Sequence, residues 1–364
     1  MRLPCARPAV AAAPPPPSRA TRPRRAAPPA PRAAGAGAVQ APHAGAREQP
    51  AWTGGDAVSR LVNALIASPL YPVMAFAARA AMKRTAAQKG LDWDAETRKL
   101  LADPELPRIS AEIEDRNLVI PDYYKVPMHS YAEGNLNWLA AAEMSSAAAV
   151  VACRVYGDDC ATAPEAVARF RTAITGAIRG YLASTGAREP NAILDVGCAT
   201  GIGTRWLAAE FPGAAVTGLD ASPHFIAVAE LEQRRTPLPD GRTIRFDHAL
   251  AESAPYPDCS FDLVAVQYVA HECPQSATRA IISEAARLLR PGGVVVFVDN
   301  DPRSARLQAM QPWMFTLMKS SEPWSDEFYS LHLEAAVVDA GFGAVRTVAV
   351  NTSHHAVLAR LPEA

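Results

Sequence analysis

From residue 192 onward the hydrophobic pattern changes period. AILDVG, AAVTGLD, TIRFDHA, FDLVAVQYV and GGVVVFVD are short, nearly continuous apolar runs, the pattern of strands buried on both faces. Between them, SPHFIAVAELEQRR and ATRAIISEAARLL repeat apolar residues every three or four positions, as helices with one buried face do. Strand alternating with helix predicts an α/β fold: a doubly wound, mostly parallel sheet with helices on both faces. The chain then ends with a helical pattern, EFYSLHLEAAVVDAG, and two strand patterns, GAVRTVAV and NTSHHAVLAR, that meet at the polar turn 351–353. A short turn joins antiparallel neighbours, so the seven-stranded sheet should finish with a reversed strand. Upstream, LNWLAAAEMSSAAAVVACRVYG and PEAVARFRTAITGAIRGYLAST read as Ala-rich amphipathic helices. A polar, aromatic insert, IPDYYKVPMHSYAEGN, precedes them.

Composition divides the chain further. Twelve of its 32 prolines fall in residues 1–50, with eight arginines, no lysine, and no acid before Glu48. Such a segment cannot bury a core and reads as an organellar transit peptide, with the plastid favoured over the mitochondrion. The expected organisation is therefore a transit segment at 1–50, a helical cap at 51–185 and an α/β domain at 186–364. Without residues 1–50 the chain keeps 28 basic and 36 acidic residues. It lacks the basic footprint of a nucleic-acid binder. No run of 18 apolar residues occurs, and the best candidate span, 61–82, is broken by Asn63, Pro69, Pro72 and Arg79; no transmembrane segment is predicted. The six cysteines form no CxxC pair and have no histidine at zinc spacing, so reduced structural thiols are expected, and no metal site.

The candidate chemistry begins at ILDVGCATGIGT, residues 193–204, where three glycines follow an acid at a strand-to-helix junction. Glycine permits positive φ and close backbone approach, and such a junction can hold a nucleotide-like ligand. The spacing is GxxxGxG, a poor match to the dinucleotide fingerprint GxGxxG. Asp220 ends the next strand in GLDASP, where an acid can accept from ribose hydroxyls. Asp195 beside the glycine turn suits a cationic ligand better than a phosphate.

These residues resemble the class I S-adenosylmethionine-dependent methyltransferases, in their small-molecule type 11 branch. DVGCATG is similar to the first motif, GLDASP to the second-strand acid, AESAPYPDCSFDLV to the segment before strand four, and EAARLLRPGG to the approach to strand five. The chain is also similar to plastid and cyanobacterial members. The resemblance implies S-adenosylmethionine as cofactor, with Asp195, Gly197, Cys198, Ala199 and Gly201 around its methionine part, and Asp220 and Ala221 at its ribose. It places Ala251 and Glu252 beside the adenine, and makes Gln267, at the end of strand four, a further cofactor-binding residue. Leu250 stands where an acid is frequent, and Ala199 where a glycine is.

A sulfonium methyl is already activated, so alignment, exclusion of water and sometimes a base suffice for transfer. His271, in YVAHECP after strand four, is the candidate base, and Glu272 a group to orient a substrate hydroxyl. Tyr124, His129 and Tyr131 of the insert are the candidate acceptor-binding residues, with Tyr123, Asn135 and Trp138 around them. Met310, Met314 and Met318 are spaced four apart, as on one helical face. Together these favour a small lipophilic or aromatic methyl acceptor. A non-catalytic S-adenosylmethionine-binding regulator is the competing reading, and glycine spacing and the reversed strand disfavour a nicotinamide oxidoreductase. For the first segment the expected outcome is direct: residues 1–50 fused to a fluorescent reporter carry it into plastids, and diffuse cytosolic fluorescence rejects that address.

Overall fold

The computed structural model describes residues 71–363 and positions 57, 60, 61, 64 and 68. The expected transit segment, 1–50, lies outside the described residues. Among the described residues from 71 on, the α-helices before the sheet are α1 (Tyr71–Gln88), α2 (Trp93–Leu101), α3 (Leu106–Ile113), α4 (Trp138–Tyr156) and α5 (Ala163–Thr185). There follow β1 (Ala192–Val196), α6 (Ile202–Glu210), β2 (Ala215–Asp220), α7 (Pro223–Arg235), β3 (Arg245–His248), β4 (Phe261–Gln267), α8 (Gln275–Leu288) and β5 (Leu289–Asn300). The chain closes with α9 (Ala305–Gln308), α10 (Pro312–Lys319), α11 (Ser325–Ser330), α12 (Leu333–Asp339), β6 (Gly343–Ala349) and β7 (His354–Arg360).

The seven strands run in the order β3-β2-β1-β4-β5-β7-β6. β7 is antiparallel to both its neighbours, β5 and β6, while β1 to β5 pair in parallel. This is the doubly wound sheet with a reversed last strand that the apolar runs predict. Its alternation is strict: Leu194, Val264, Val266, Val295, Phe297 and Val357 face one helical layer. Ile193, Leu263, Ala265, Val296 and Leu358 face the other. A strand with both faces covered needs apolar residues at every position, which is why these segments read as unbroken runs.

Local signals set the helix ends. The Asn137 side chain accepts from the Ala140 N–H at 2.8 Å to start α4, and Ser222 accepts from the Phe225 N–H at 3.4 Å to start α7. Such caps satisfy donors that have no partner within the helix. α5 begins at Thr162, with a proline in its first turn, and stops at Gly186 in the left-handed conformation. Although it precedes the expected boundary at 185/186, α5 packs on the sheet through Phe170, Ile174, Ile178 and Leu182. The layer above is made by α2, α3 and α4, whose Leu100, Leu106, Ile109 and Ala140 meet Phe225, Val228 and Leu231 of α7.

Two readings of the pattern are corrected. EFYSLHLEAAVVDAG is not one helix: α11 ends at Ser330, whose hydroxyl donates to the Asp326 carbonyl at 2.8 Å and competes with the backbone ladder. Gln275 Nε2 also takes the Glu327 carbonyl at 2.9 Å, and α12 starts anew at Leu333. Nor do the three methionines share a helical face: Met310 precedes α10, Met314 points outward, and Met310 and Met318 pack against the core. Cys153, Cys160, Cys198 and Cys273 are free and buried as expected. Among the described residues one helix, Trp138–Asp159, is long and apolar enough to cross a membrane, and half of that stretch is buried within the fold.

His354 opens β7 at 5% exposure, its Nδ1 2.9 Å from Asn351 Oδ1 and its ring against Phe170 and Tyr268. Burial pushes its pKa down to about 4, with His271, Arg306 and His355 adding to the effect and Asp299 opposing it. The unfolded chain protonates this ring near pH 6.5, so stability is complete above that pH and is lost as pH falls toward 4, by an amount on the order of 3 kcal/mol. Thermal melts across this window should fall more steeply for the parent than for His354→Gln. Parallel slopes would refute the assignment.

Candidate active site

The first elements of the site are set by the turn after β1. Gly197 has φ 65°, and a Cβ there would lie 2.3 Å from Val269 Cγ2, so the turn has no room for a side chain. In register, Asp195 lies between Gly218 of β2 and Ala265 of β4, small neighbours on either side. Its carboxylate is buried and accepts from Thr204 Oγ1 at 2.7 Å and from Gln267 Nε2 at 2.9 Å. Gln267 in turn accepts from Arg171 of α5 at 3.2 Å. A Cβ on Gly203 would come within 2.9 Å of Gln267 Nε2, so this glycine serves a polar chain as much as a ligand. Burial raises the Asp195 pKa against those bonds.

Asp220 at the top of β2 joins three segments. Its Oδ2 accepts from the Ala199 N–H at 2.8 Å and its Oδ1 from the Ser222 N–H at 2.8 Å. Burial nevertheless pushes its pKa up to about 6, with those two bonds opposing. Cys198 is buried beneath, its N–H donating to the Leu219 carbonyl at 2.9 Å, and the Ala221 carbonyl lies 3.0 Å from His248 Nε2.

The insert closes over these strand ends. The Tyr124 hydroxyl is 3.5 Å from Asp220 Oδ1, and the Tyr123 hydroxyl donates to Glu252, next to Ala251 at the edge of the core. Trp324 Nε1 holds the Tyr123 carbonyl at 3.1 Å. Asn135 Nδ2 donates to Glu272 Oε2 at 2.8 Å, and His129 Nε2 lies 3.4 Å from Glu272 Oε1. Tyr131 departs from the acceptor side: its hydroxyl donates to Glu143 of α4, and Arg79 pairs with the same carboxylate. Glu143 is a buried acid in an apolar helix, and such a charge needs partners. Ala199, Tyr268, His129 and Ser130 all take positive φ here without being glycine. Backbone strain of this kind gathers at functional sites.

A single 3-10 turn after β4, Ala270–Glu272, presents His271. Its Nδ1 is 2.8 Å from Asp299 Oδ1 of β5, and its N–H donates to Asp299 Oδ2 at 3.2 Å. Burial alone would lower the imidazole pKa, but the Asp299 charge and hydrogen bond raise it to about 10. The ring therefore holds a proton near neutral pH, which disfavours the expected role as a base and leaves Nε2 as a donor. Phe328 stands edge-on to it, 6.1 Å between ring centres, with Phe315 and Tyr329 behind.

The sequence reading missed Asp299, Arg171, Thr204 and Glu143. Two of them carried a signal, since Asp299 and Glu143 are lone acids inside apolar runs.

A family model described as a methyltransferase domain matches residues 194–297, the stretch that holds Asp195, Asp220 and His271. An uncharacterised methyltransferase of Synechocystis is 30% identical over 162 residues, 42% of this chain and 68% of that one. Trans-aconitate 2-methyltransferase of Methylobacterium radiotolerans is 35% identical over 158 residues, 41% of this chain and 56% of that one. The 2-methyl-6-phytyl-1,4-hydroquinone methyltransferase of Synechocystis is 34% identical over 137 residues, 36% of this chain and 40% of that one. The chain thus spans only about half the length of these last two relatives. With the glycine turn, the strand-two acid and the reversed strand in one fold, the chain belongs to the class I S-adenosylmethionine-dependent methyltransferases, in the type 11 branch.

Proposed function

We propose that this enzyme transfers the methyl group to an oxygen of a small aromatic or lipophilic acceptor, bound between the insert and the segment after β5. The observation that carries the reading is His271: its Nδ1 is fixed by Asp299 and its ring stands against Phe328. One oriented polar tip in an aromatic wall suits a flat acceptor with a hydroxyl group. The hydroquinone named for the Synechocystis relative has that chemistry. The relative named for trans-aconitate does not, so the walls of this site, rather than kinship, support the choice.

On this reading the backbone at Gly197 to Gly201 lies against the methionine part. Asp195 faces the ammonium group, since each of its oxygens has taken one bond and can accept another. Asp220 accepts from the ribose in place of Tyr124, and Ala251 and Glu252 border the adenine. Gln267 acts through Asp195. Bound there, S-adenosylmethionine would supply an activated sulfonium methyl group to an acceptor lone pair, with the neutral thioether S-adenosylhomocysteine as its leaving group. Glu272, held by Asn135 and 3.9 Å from His271 Nε2, takes the hydroxyl proton while His271 orients the oxygen. A binding-only regulator would have no use for this pair.

Removing the Asp220 charge should cost about 1.5–3 kcal/mol of cofactor binding, or roughly tenfold to a hundredfold in affinity. In calorimetry, Asp220→Asn should show that loss. The parent should lose affinity as pH drops below about 6, where Asp220 takes up its proton. A folded Asp220→Asn with parent affinity would remove Asp220 from the cofactor site. The acceptor is tested by S-adenosylhomocysteine release with phenols, hydroquinones, fatty acids and amines. Phenols or hydroquinones should turn over, and His271→Asn and Glu272→Gln should each slow them by about a hundredfold or more with little change in cofactor affinity. Turnover of fatty acids alone would leave a lipophilic acceptor and exclude the aromatic hydroxyl, and turnover of amines alone would overturn the acceptor class.

A further inference from the structure

His129, His271 and Glu322 come from three separate segments, yet each offers a metal-ligating atom, and these atoms lie within 4.8 Å of one another. We propose that they form a binding site for one divalent transition-metal ion, on the acceptor side of the strand ends. The sequence predicts no metal because no pair among these residues falls at a ligand spacing; the fold alone brings them together.

The donors converge without satisfying one another. His129 Nε2 is 3.9 Å from Glu322 Oε1, and His271 Nε2 is 3.9 Å from the nearest carboxylate oxygen, that of Glu272. Neither distance is a hydrogen bond, and the closest approach to His129 Nε2 is that of Glu272 Oε1 at 3.4 Å, at the long edge of hydrogen-bond reach. Outer contacts meanwhile fix the ligands. Asp299 engages His271 Nδ1 at 2.8 Å and leaves Nε2 facing the cluster, the carboxylate-histidine-metal arrangement of built metal centres. The His129 N–H donates to the Ser321 carbonyl at 2.7 Å, which ties the insert to the segment that carries Glu322. His129 holds φ 52°, a conformation that needs such support. A second, independent sign is Asn135: the residue is 4% exposed, its Nδ2 is bound to Glu272, and its Oδ1 is buried with no hydrogen-bond partner. Through Nδ2 that residue is tied to Glu272, which in turn lies 3.4 Å from His129 Nε2.

Two imidazoles and a carboxylate suit zinc, iron(II), cobalt or manganese, with positions left open for an outside ligand. Ligand atoms on one tetrahedral zinc lie about 3.3 Å apart, so modest side-chain rotation closes the set, and the ion takes the place of the proton on His271 Nε2. Bound there, it would offer a Lewis acid to an acceptor oxygen. Glu272 stays outside the ligand set and keeps its role as proton acceptor, while the ion, in place of the His271 Nε2–H, would orient the acceptor oxygen. The site itself does not depend on which acceptor the enzyme uses.

The test is zinc calorimetry on the full chain after treatment with a chelator, with cobalt(II) absorption as a second probe of nitrogen and oxygen ligation. One equivalent of zinc should bind per chain and raise the melting temperature. His129→Ala and Glu322→Gln should each weaken it by more than a hundredfold, and Asp299→Asn by tenfold to a hundredfold. S-adenosylmethionine affinity, measured on the same preparations, reports that His129→Ala and Glu322→Gln are folded. Absence of stoichiometric zinc binding, zinc affinity unchanged in these two variants, or a cobalt spectrum of thiolate ligation would each overturn the proposal. The cluster would then be a polar latch between two chain segments.

Discussion

Acids gathered at the carboxyl ends of the parallel strands constrain this molecule more than any other feature. Asp195, Asp220, Glu252, Glu272 and Asp299 lie together there, several of them fully buried. Charges removed from water need partners, or they take up protons. Each acid has an answer from a different part of the chain: Thr204 and Gln267, the Ala199 and Ser222 amides, Tyr123, Asn135, and His271. The insert supplies Tyr123 and Asn135, so its fold and the electrostatics of the sheet are one problem. Burial still holds the Asp220 pKa above the ordinary carboxylate range, so the balance there is incomplete.

The sheet was legible because its physics is local. Strands covered on both faces require apolar residues at every position, and the 193–204 run announces the turn through glycines that nothing else could replace. The places of the two acids followed for the same reason, since Asp195 lies within β1 and Asp220 ends β2. What sequence could not supply was distance across the fold. Tyr131 looked like a lid residue, but the buried Glu143 on α4 claims its hydroxyl. His129 and Glu322 approach to 3.9 Å across segments joined by the His129 amide on the Ser321 carbonyl and by Trp324 on the Tyr123 carbonyl. Nor can periodicity show that α5 belongs to the sheet; that follows from Arg171 reaching Gln267, which no local rule anticipates.

The two helical regions consequently play different parts. α5 is a wall of the catalytic domain, continuous with its core, whereas α2 to α4 rest on α7 through a separate apolar cluster. The insert that α4 follows is neither. It buries Met128 and packs Tyr123 and Tyr131 at the edges of two cores, while polar contacts of Tyr123 and Asn135 tie it to the strand ends.

The 3.5 Å approach of Tyr124 to Asp220 then has a thermodynamic meaning. With Asp220 as the ribose acceptor, the tyrosine and the cofactor compete for one carboxylate. The free energy that seats the cofactor is a difference between two hydrogen-bonded states, and displacing Tyr124 loosens the insert where an acceptor would enter. Cofactor affinity and insert position are in that case reciprocally linked: whatever steadies Tyr124 on Asp220 weakens the cofactor, and cofactor binding shifts the insert toward release by the same factor.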